Sequence, residues 1–365
     1  LKLTHFANAA EGMTAAVALM PPPNGSMVLQ HPPSAPVYAP NLWAPEDPED
    51  IEPGVAHTAR WTAAMRAIES ERPDALFRDP LAGVLAGQSS VRGWKAEMEA
   101  CITSQPHSRS HIAIRCRALD DLIIQEIEDM APAEPVQVVS LGAGMCTRPW
   151  RLPIPEAIWF EVDLPDIIRV KNRIIREQQA VATVGEYIAI GVDFSDDTVS
   201  LSQTLEAHGY DPALPTVFVM EGLLYFLHLK DLQEMALEMQ ELMGARQTAG
   251  LARIILTCIN DGFLAQLRGP MPHGDKRKME ELQNPRQFPH VTQPEVDPLF
   301  KSCWESGCKE IFEDVGWSVV SKISREEYGL KKLHVPMLLF GFPDPKTATE
   351  YFIVMHRKPQ GIHAL

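Results

Sequence analysis

Short apolar runs recur between residues 136 and 259, and most are separated from the next by a stretch of helical length. VQVVSLG (136–142), AIWFEVD (157–163), EYIAIGVD (186–193), TVFVMEG (216–222) and LARIILTCI (251–259) are nearly continuous in apolar character. Strands with one wet face alternate apolar and polar residues; these do not, so both of their faces are expected to be buried. Between them, PDIIRVKNRIIREQQA (165–180) reads as an amphipathic helix with Pro165 in its first turn, where a missing N–H costs nothing. A helix is expected from about Asp197 to His208, with Ser195 as N-cap and Gly209 at its stop. Another is expected from about Leu229 to Met243, stopping at Gly244. This rhythm predicts an α/β fold: a doubly wound, mostly parallel sheet with helices on both faces. WSVVSKI (317–323) and EYFIVMHR (350–357) have no clear helix between them and read as a terminal antiparallel pair, making seven strands in all. The apolar stretch Val335 to Phe342 reads as a further buried strand.

Upstream of the sheet the pattern is helical. TARWTAAMRAIESE, from Thr58, puts Trp61, Ala64, Met65 and Ile68 on one stripe. RPDALFRDPLAG follows as a turn-rich connection, then a helix over about Val91 to Ile102 and another over Ser108 to Met130. Residues 56–132 are therefore expected to form a helical cap on a core spanning 133–365. Residues 1–55 are rich in Pro and Ala; prolines at that density sustain neither helix nor central strand, so the segment reads as an extended or partly disordered arm. A Pro- and charge-rich insert at about 266–298 reads as a lid.

The 365 residues carry a formal net charge of −15, which disfavours nonspecific nucleic-acid binding, since phosphate contacts need clustered Lys and Arg. No apolar run approaches the roughly 20 residues needed to span a bilayer. The six cysteines include no CxxC pair, so a reduced, cytoplasmic protein without a metal site is expected.

Ligands of doubly wound sheets bind beyond the carboxyl ends of the strands. Here the strand ends carry Gly142-Ala143-Gly144, then Glu161-Val162-Asp163, then Asp193-Phe194, then Glu221-Gly222. Gly142 and Gly144 let the backbone approach a ligand where a Cβ would obstruct it, although a plain strand-to-helix turn would use them equally well. Asp163, nineteen residues after Gly144, suits both hydroxyls of a ribose, or caps the helix that starts at Pro165. Asp193 suits the exocyclic amine of an adenine with Phe194 at the ring edge, or is itself a cap. Glu221 ends a buried strand and needs a cation or donor to meet it. A dinucleotide fingerprint requires a third glycine where this chain has Thr147, so that fingerprint is broken. Three strand-end acids suit a cationic nucleoside such as S-adenosylmethionine better than a pyrophosphate.

TAAMRAIESERPDALFRDPLAG (62–83), RCRALDD (115–121), the glycine stretch VVSLGAGMCTRPWRL, FEVDLPDIIRVKN (160–172), VDFSDD (192–197) and PTVFVMEGLLYFL (215–227) together resemble the leucine carboxyl methyltransferase family of S-adenosylmethionine-dependent O-methyltransferases. The resemblance is to its bacterial, polyketide-tailoring branch. It implies a Rossmann-like class I methyltransferase fold, with Arg115 on the cofactor carboxylate and Gly142, Ala143 and Gly144 around the methionine moiety. It also implies Asp163 and Leu164 at the ribose, Asp193 and Phe194 at the adenine, and Glu221 and Gly222 near the amino group. The chain departs from the family pattern at Cys146, where an acid is usual, and at Phe226, where Tyr is usual and Tyr225 stands one place earlier.

Methyl transfer to oxygen is an in-line displacement that depends mainly on positioning and desolvation. A carboxylate acceptor is ionised at pH 7 and needs no base; a phenol or alcohol is helped by one, usually His. His107, His111, His228 and His290 are the candidates, with none preferred. Arg148 and Arg151, just after the glycine loop, suit an anionic substrate held by bidentate bonds, Arg151 suits a structural ion pair equally well, and Tyr225 is a further substrate-side candidate. A small carboxylic acid or phenol is the expected acceptor. The alternatives are a protein C-terminal carboxyl methyltransferase, a noncatalytic cofactor-binding protein and, least favoured, an NAD-dependent oxidoreductase.

Overall fold

The computed structural model describes residues 55–194, 196, 198–243, 251–268, 300–338 and 347–357. Its centre is one seven-stranded sheet: β1 (Val136–Leu141), β2 (Ala157–Asp163), β3 (Glu186–Gly191), β4 (Thr216–Met220), β5 (Ala252–Ile259), β6 (Trp317–Ser324) and β7 (Glu350–Arg357). The strand order is β3-β2-β1-β4-β5-β7-β6. β1 to β5 are mutually parallel, and β7 inserts antiparallel between β5 and β6. The chain leaves β1 toward β2 and β3 on one side and returns to β4 and β5 on the other. The topological switch point therefore lies between the carboxyl ends of β1 and β4.

Helices cover both faces, which is why the strand runs are continuously apolar. Val138, Trp159, Val217, Ile255 and Phe352 point to one face and pack with Ile114, Leu119 and Ile123 of α4 (His111–Met130). Val139, Phe160, Phe218 and Met355 point to the other, against Leu232 and Met239 of α7 (Leu229–Leu242) and Phe312 of α9 (Cys308–Asp314). Adjacent residues thus serve opposite cores, as a two-residue side-chain period requires. α1 (Val55–Ser70), α2 (Ala82–Ala86) and α3 (Gln88–Ser104) share a separate apolar cluster with Val170, Ile174 and Ile175 of α5 (Pro165–Glu177). α4 is part of the layer on the sheet, while α1 to α3 sit beside the strand ends.

Several expectations needed correction. α6 spans only Leu201–Ala207, and its N-cap is Ser200, whose hydroxyl accepts from the Gln203 N–H. Ser195 and Asp197 lie outside the described residues. Gly209 does terminate α6, with φ of 92°. The terminal strands are antiparallel but not a simple hairpin, because α10 (Arg325–Lys331) follows β6, capped by Ser324. Residues 335–338 form no strand; Met337 makes a single bridge to Arg109, and the rest of that run lies outside the described residues. The helix α8 (Asp261–Arg268) extends into what reads as the start of the insert. The N-terminal arm, Gly244 and nearly all of the insert lie outside the described residues. Among the described residues, no helix is long and apolar enough to cross a membrane.

Candidate functional site

A cavity of about 330 Å³ opens at the carboxyl ends of the strands, within the roughly 300–1,000 Å³ typical of small-molecule sites. Arg115, Gly142, Ala143, Gly144, Asp163, Leu164, Asp193, Phe194, Glu221 and Gly222 all line it, as do Arg151 and Tyr225. Residues from the ends of β1 to β5 and from α1, α4, α5, α8 and α10 thus converge on one space.

The glycine loop after β1 shapes its floor. Gly142 and Gly144 adopt φ of 66° and 50°, left-handed values that a side chain disfavours. A Cβ on Gly142 would also stand 2.9 Å from Leu223 Cδ1. Asp163 braces this loop: its Oδ2 accepts from the Gly144 N–H at 2.6 Å and its Oδ1 from the Leu164 N–H at 2.7 Å. It does not cap α5, whose cap position is Leu164, with no side-chain bond. Burial pushes the Asp163 pKa up, against the pull of those two backbone donors. Asp193 is exposed two residues beyond β3, well before α6 begins at Leu201, and is therefore not its cap.

Thr147 has a positive reason not to be glycine. Its hydroxyl donates to Asp79 Oδ2 at 2.6 Å, and the same oxygen accepts from Arg66 Nε at 2.8 Å. Arg66 also donates to the Met145 carbonyl at 2.5 Å, so the loop after β1 is tied to α1 and to the segment before α2. Burial opposes ionisation of Asp79, but Arg66 and Arg151 hold its pKa below the ordinary value.

A buried charge network runs beneath the loop. Glu221 Oε1 accepts from Arg115 Nε at 2.9 Å, and Oε2 from Arg148 Nη1 at 2.6 Å. Against the cost of burial, these two guanidinium groups draw the Glu221 pKa far below its ordinary range. The cation that Glu221 required is therefore supplied by the protein itself, leaving about one lone-pair position on each oxygen. Arg115 also donates to Tyr225 Oη at 3.4 Å and Glu350 Oε1 at 3.3 Å. Arg148 Nε bonds Asp120 Oδ1 at 2.8 Å, and its Nη1 reaches Cys146 Sγ at 3.4 Å. Cys146 thus occupies the family's acid position as a soft acceptor of an arginine N–H. Arg151 bonds both Asp120 oxygens and reaches Cys116 Sγ at 3.1 Å. Of its two readings, the geometry displays the ion pair.

The half of the cavity above β4 and β5 is aromatic. Tyr225 and Phe226 follow β4, Phe263 lies in α8 after β5, and Phe300 packs on both tyrosine and phenylalanine with centroids 5.7 and 5.3 Å away. Trp61 of α1 and His111, the first residue of α4, close the opposite wall, with ring centroids 5.7 Å apart. Arg325 and Glu350 complete the polar end. Of the four candidate histidines, His107 and His228 are exposed and absent from the cavity wall, and His290 lies outside the described residues. The sequence argument missed Arg66 and Asp79, which lie far from the strand ends in the chain, and Arg325 and Glu350, which follow β6 and open β7, outside the parallel strands whose carboxyl ends it considered. Only the i, i+4 spacing of His111 and Arg115 on one helix face was there to be read.

A doubly wound sheet with a glycine loop, a strand-two acid and a cavity at the switch point defines a nucleoside-binding α/β protein. Comparison with known proteins carries this further. A model of the leucine carboxyl methyltransferase family matches residues 59–239. A Streptomyces coelicolor protein named "Putative S-adenosyl-L-methionine-dependent methyltransferase" is 34% identical over 276 residues, covering 73% of this chain and 88% of that protein. A similarly named Frankia alni protein is 36% identical, covering 63% of this chain and 78% of its own. The chain belongs to the leucine carboxyl methyltransferase family. The solved structure of a "putative methyltransferase" from Thermobifida fusca aligns with 87% of this chain and 99% of its own, at 12% identity and a TM-score of 0.47.

Proposed function

We propose that the chain is an S-adenosylmethionine-dependent O-methyltransferase acting on a carboxylate or hydroxyl of a small acceptor. Dependence on S-adenosylmethionine accords with the family and with relatives that carry that name. The observation that carries the rest is the two-part cavity: a glycine- and acid-lined half at β1 to β3 and an aromatic half above β4 and β5.

The lining fits the cofactor. Asp163, its carboxylate already fixed by two backbone donors, keeps lone pairs for a ribose diol. Asp193 and Phe194, just beyond the end of β3, suit the adenine, and Leu164 lines the same cavity. Arg115 offers a guanidinium to a carboxylate, and the outer lone pairs of Glu221 suit an ammonium. When bound, the cofactor supplies an electrophilic methyl group on a sulfonium. Gly142, Gly144 and Gly222 bring backbone against that end of the ligand, and the aromatic wall excludes water from the acceptor. Positioning of this kind can contribute several orders of magnitude in rate.

The test is incubation with methyl-labelled S-adenosylmethionine and panels of carboxylic acids and phenols. The expected product is a small-molecule methyl ester or ether. Label recovered solely as a base-labile ester on protein would make the chain a protein carboxyl methyltransferase. Calorimetric binding of the cofactor with no transfer to any acceptor would make it a noncatalytic binder.

A further inference from the structure

Resting on that reading, we infer that Arg325 is a specificity residue: its guanidinium holds a carboxylate carried by the acceptor, as an anchor set apart from the oxygen that takes the methyl group. Arg325 opens α10, beyond the residues 59–239 that the family model matches, so no role for it follows from family membership.

Five arginines line the cavity, and four of them are held by two or more hydrogen bonds to protein acceptors. Arg66 donates to Asp79 and to the Met145 carbonyl, and Arg151 to both oxygens of Asp120. Arg148 bonds Asp120 and Glu221; Arg115 bonds Glu221, Tyr225 and Glu350. Arg325 differs. Among the described residues its guanidinium makes one hydrogen bond, from Nη2 to Glu326 Oε1 at 2.9 Å. Its Nη1 stands 3.6 Å from Glu350 Oε2, outside hydrogen-bond distance, and its Nε has no partner among the described residues. The side chain is nevertheless only 5% exposed. A guanidinium carries five N–H donors in a planar fork and stays charged. Buried donors of a charged group are costly to leave unmade, and a carboxylate is the acceptor whose two oxygens match the fork. Glu350 does not cancel this charge, because it is shared with Arg115 at 3.3 Å.

The ion pairs also fix where such a ligand group would sit. Glu221 meets Arg115 at 2.9 Å, Arg115 meets Glu350 at 3.3 Å, and Glu350 meets Arg325 at 3.6 Å. Arg325 ends this relay, which starts at the carboxyl end of β4, where the proposed cofactor's ammonium belongs. Arg115 and Glu350 stand between a carboxylate on Arg325 and that position. A carboxylate clamped by a guanidinium also has lone pairs engaged, which suits it to gripping the acceptor rather than to attack. The aromatic wall adjoins this end, since Tyr225 bonds Arg115 at 3.4 Å and packs on Phe226 with ring centroids 4.8 Å apart. The acceptor therefore joins an apolar body to a carboxylate.

Calorimetry on the full chain tests this, with benzoate, phenylacetate, 3-phenylpropanoate and octanoate as probes. Each is titrated beside its uncharged primary amide, with and without S-adenosylhomocysteine. The wild type should bind at least one acid about tenfold or more tightly than its amide. Arg325→Met should cut that preference to within about threefold, while the Kd of S-adenosylhomocysteine stays within about threefold of wild type. Arg325→Lys, which keeps the charge but not the planar fork, should fall between. For an acid that accepts labelled methyl, Arg325→Met should raise KM about tenfold or more and largely keep kcat, because an anchor binds ground and transition states alike. Loss of kcat at unchanged KM would make that carboxylate the reacting group and overturn the anchoring role. A wild type that prefers no acid, or a preference that survives in Arg325→Met, overturns the subsite. Weaker binding of S-adenosylhomocysteine to Arg325→Met, with the acid preference intact, overturns it in favour of the cofactor's own carboxylate. A wild type that fails to bind S-adenosylhomocysteine, yet shows an acid preference that Arg325→Met abolishes, upholds the subsite and overturns the cofactor reading. Should Arg325→Met not fold, by its thermal midpoint, Glu326→Gln decides. Glu326 lies outside the cavity lining, and neutralising it releases Nη2, so acid affinity should rise about two- to fivefold; an unchanged or weaker affinity overturns the proposal.

Discussion

Asp163 offers the sharpest test of the cofactor half, because its hold on the glycine loop and its proposed hold on the ribose can be separated. Its two oxygens hold the Gly144 and Leu164 N–H groups at 2.6 and 2.7 Å, and its outer lone pairs are the ones available to a ribose. A hydrogen bond to a charged group contributes roughly 1.5–3 kcal/mol. Losing two to a ribose diol therefore costs about 3–6 kcal/mol, or about 10²–10⁴-fold in Kd. The stability cost is smaller. Asp163→Ala strands two backbone donors, but they face a cavity that water can enter, so about 1 kcal/mol each is the reasonable scale. For a chain of this size that corresponds to a Tm drop of roughly 2–4 °C. Asp163→Asn keeps one acceptor oxygen and should fall between. The assay is calorimetric titration with S-adenosylhomocysteine at pH 7, paired with urea unfolding of the same samples. If Asp163→Ala bound the ligand within about threefold of wild type while losing stability, the carboxylate would be a brace for the glycine loop and nothing more, and the ribose assignment would fail.

Glu221 governs a pH effect. Its folded pKa is lowered, so its stabilising contribution is fully present above the ordinary value of 4.5 and is lost as pH falls toward the folded value. The gap in unfolding free energy between wild type and Glu221→Gln should therefore be widest near neutrality and shrink on acidification below 4.5; a gap that grew there would contradict the ion-pair geometry. Gly222 has φ of 68°, and an added Cβ would lie 3.0 Å from Tyr225 Oη, so Gly222→Ala should lose about 1–2 kcal/mol from backbone strain alone. Urea midpoints measure this, and a neutral result would mean the loop relaxes freely. Arg151→Met leaves Asp120 short of a buried partner and should cost about 3–5 kcal/mol in urea unfolding. Wild-type stability together with a raised KM for acidic acceptors would instead assign Arg151 to the substrate.

Much of the fold was legible because it depends on local regularities. Five apolar runs without alternation implied strands buried on both faces, which holds for β1, β2, β4 and β5, where Val138 and Val139 serve opposite cores, but not for the edge strand β3, in which only Ile190 is buried. What failed was local too. Ser195 and Ser200 are both reasonable caps by residue type, and only the backbone path decided for Ser200. α10 was missed because REEYGLK is a single short segment whose fit depends on Tyr328 packing against Phe352.

The sequence by itself determined the order of the elements, the broken dinucleotide fingerprint at Thr147 and the series of strand-end acids. Those features are set within a few residues of chain, where spacing and side-chain type fix the geometry. The tertiary structure decided which charges meet. Arg115 reaches Glu350 across 235 residues, Arg148 reaches Glu221 across 73, and Thr147 finds Asp79 68 residues earlier. Such pairings carry no periodic signal, because what selects them is the cost of leaving a buried charge alone once the layers have packed. The same packing put His111 beside the Trp61 indole in the wall of the cavity, which His107 and His228 do not line.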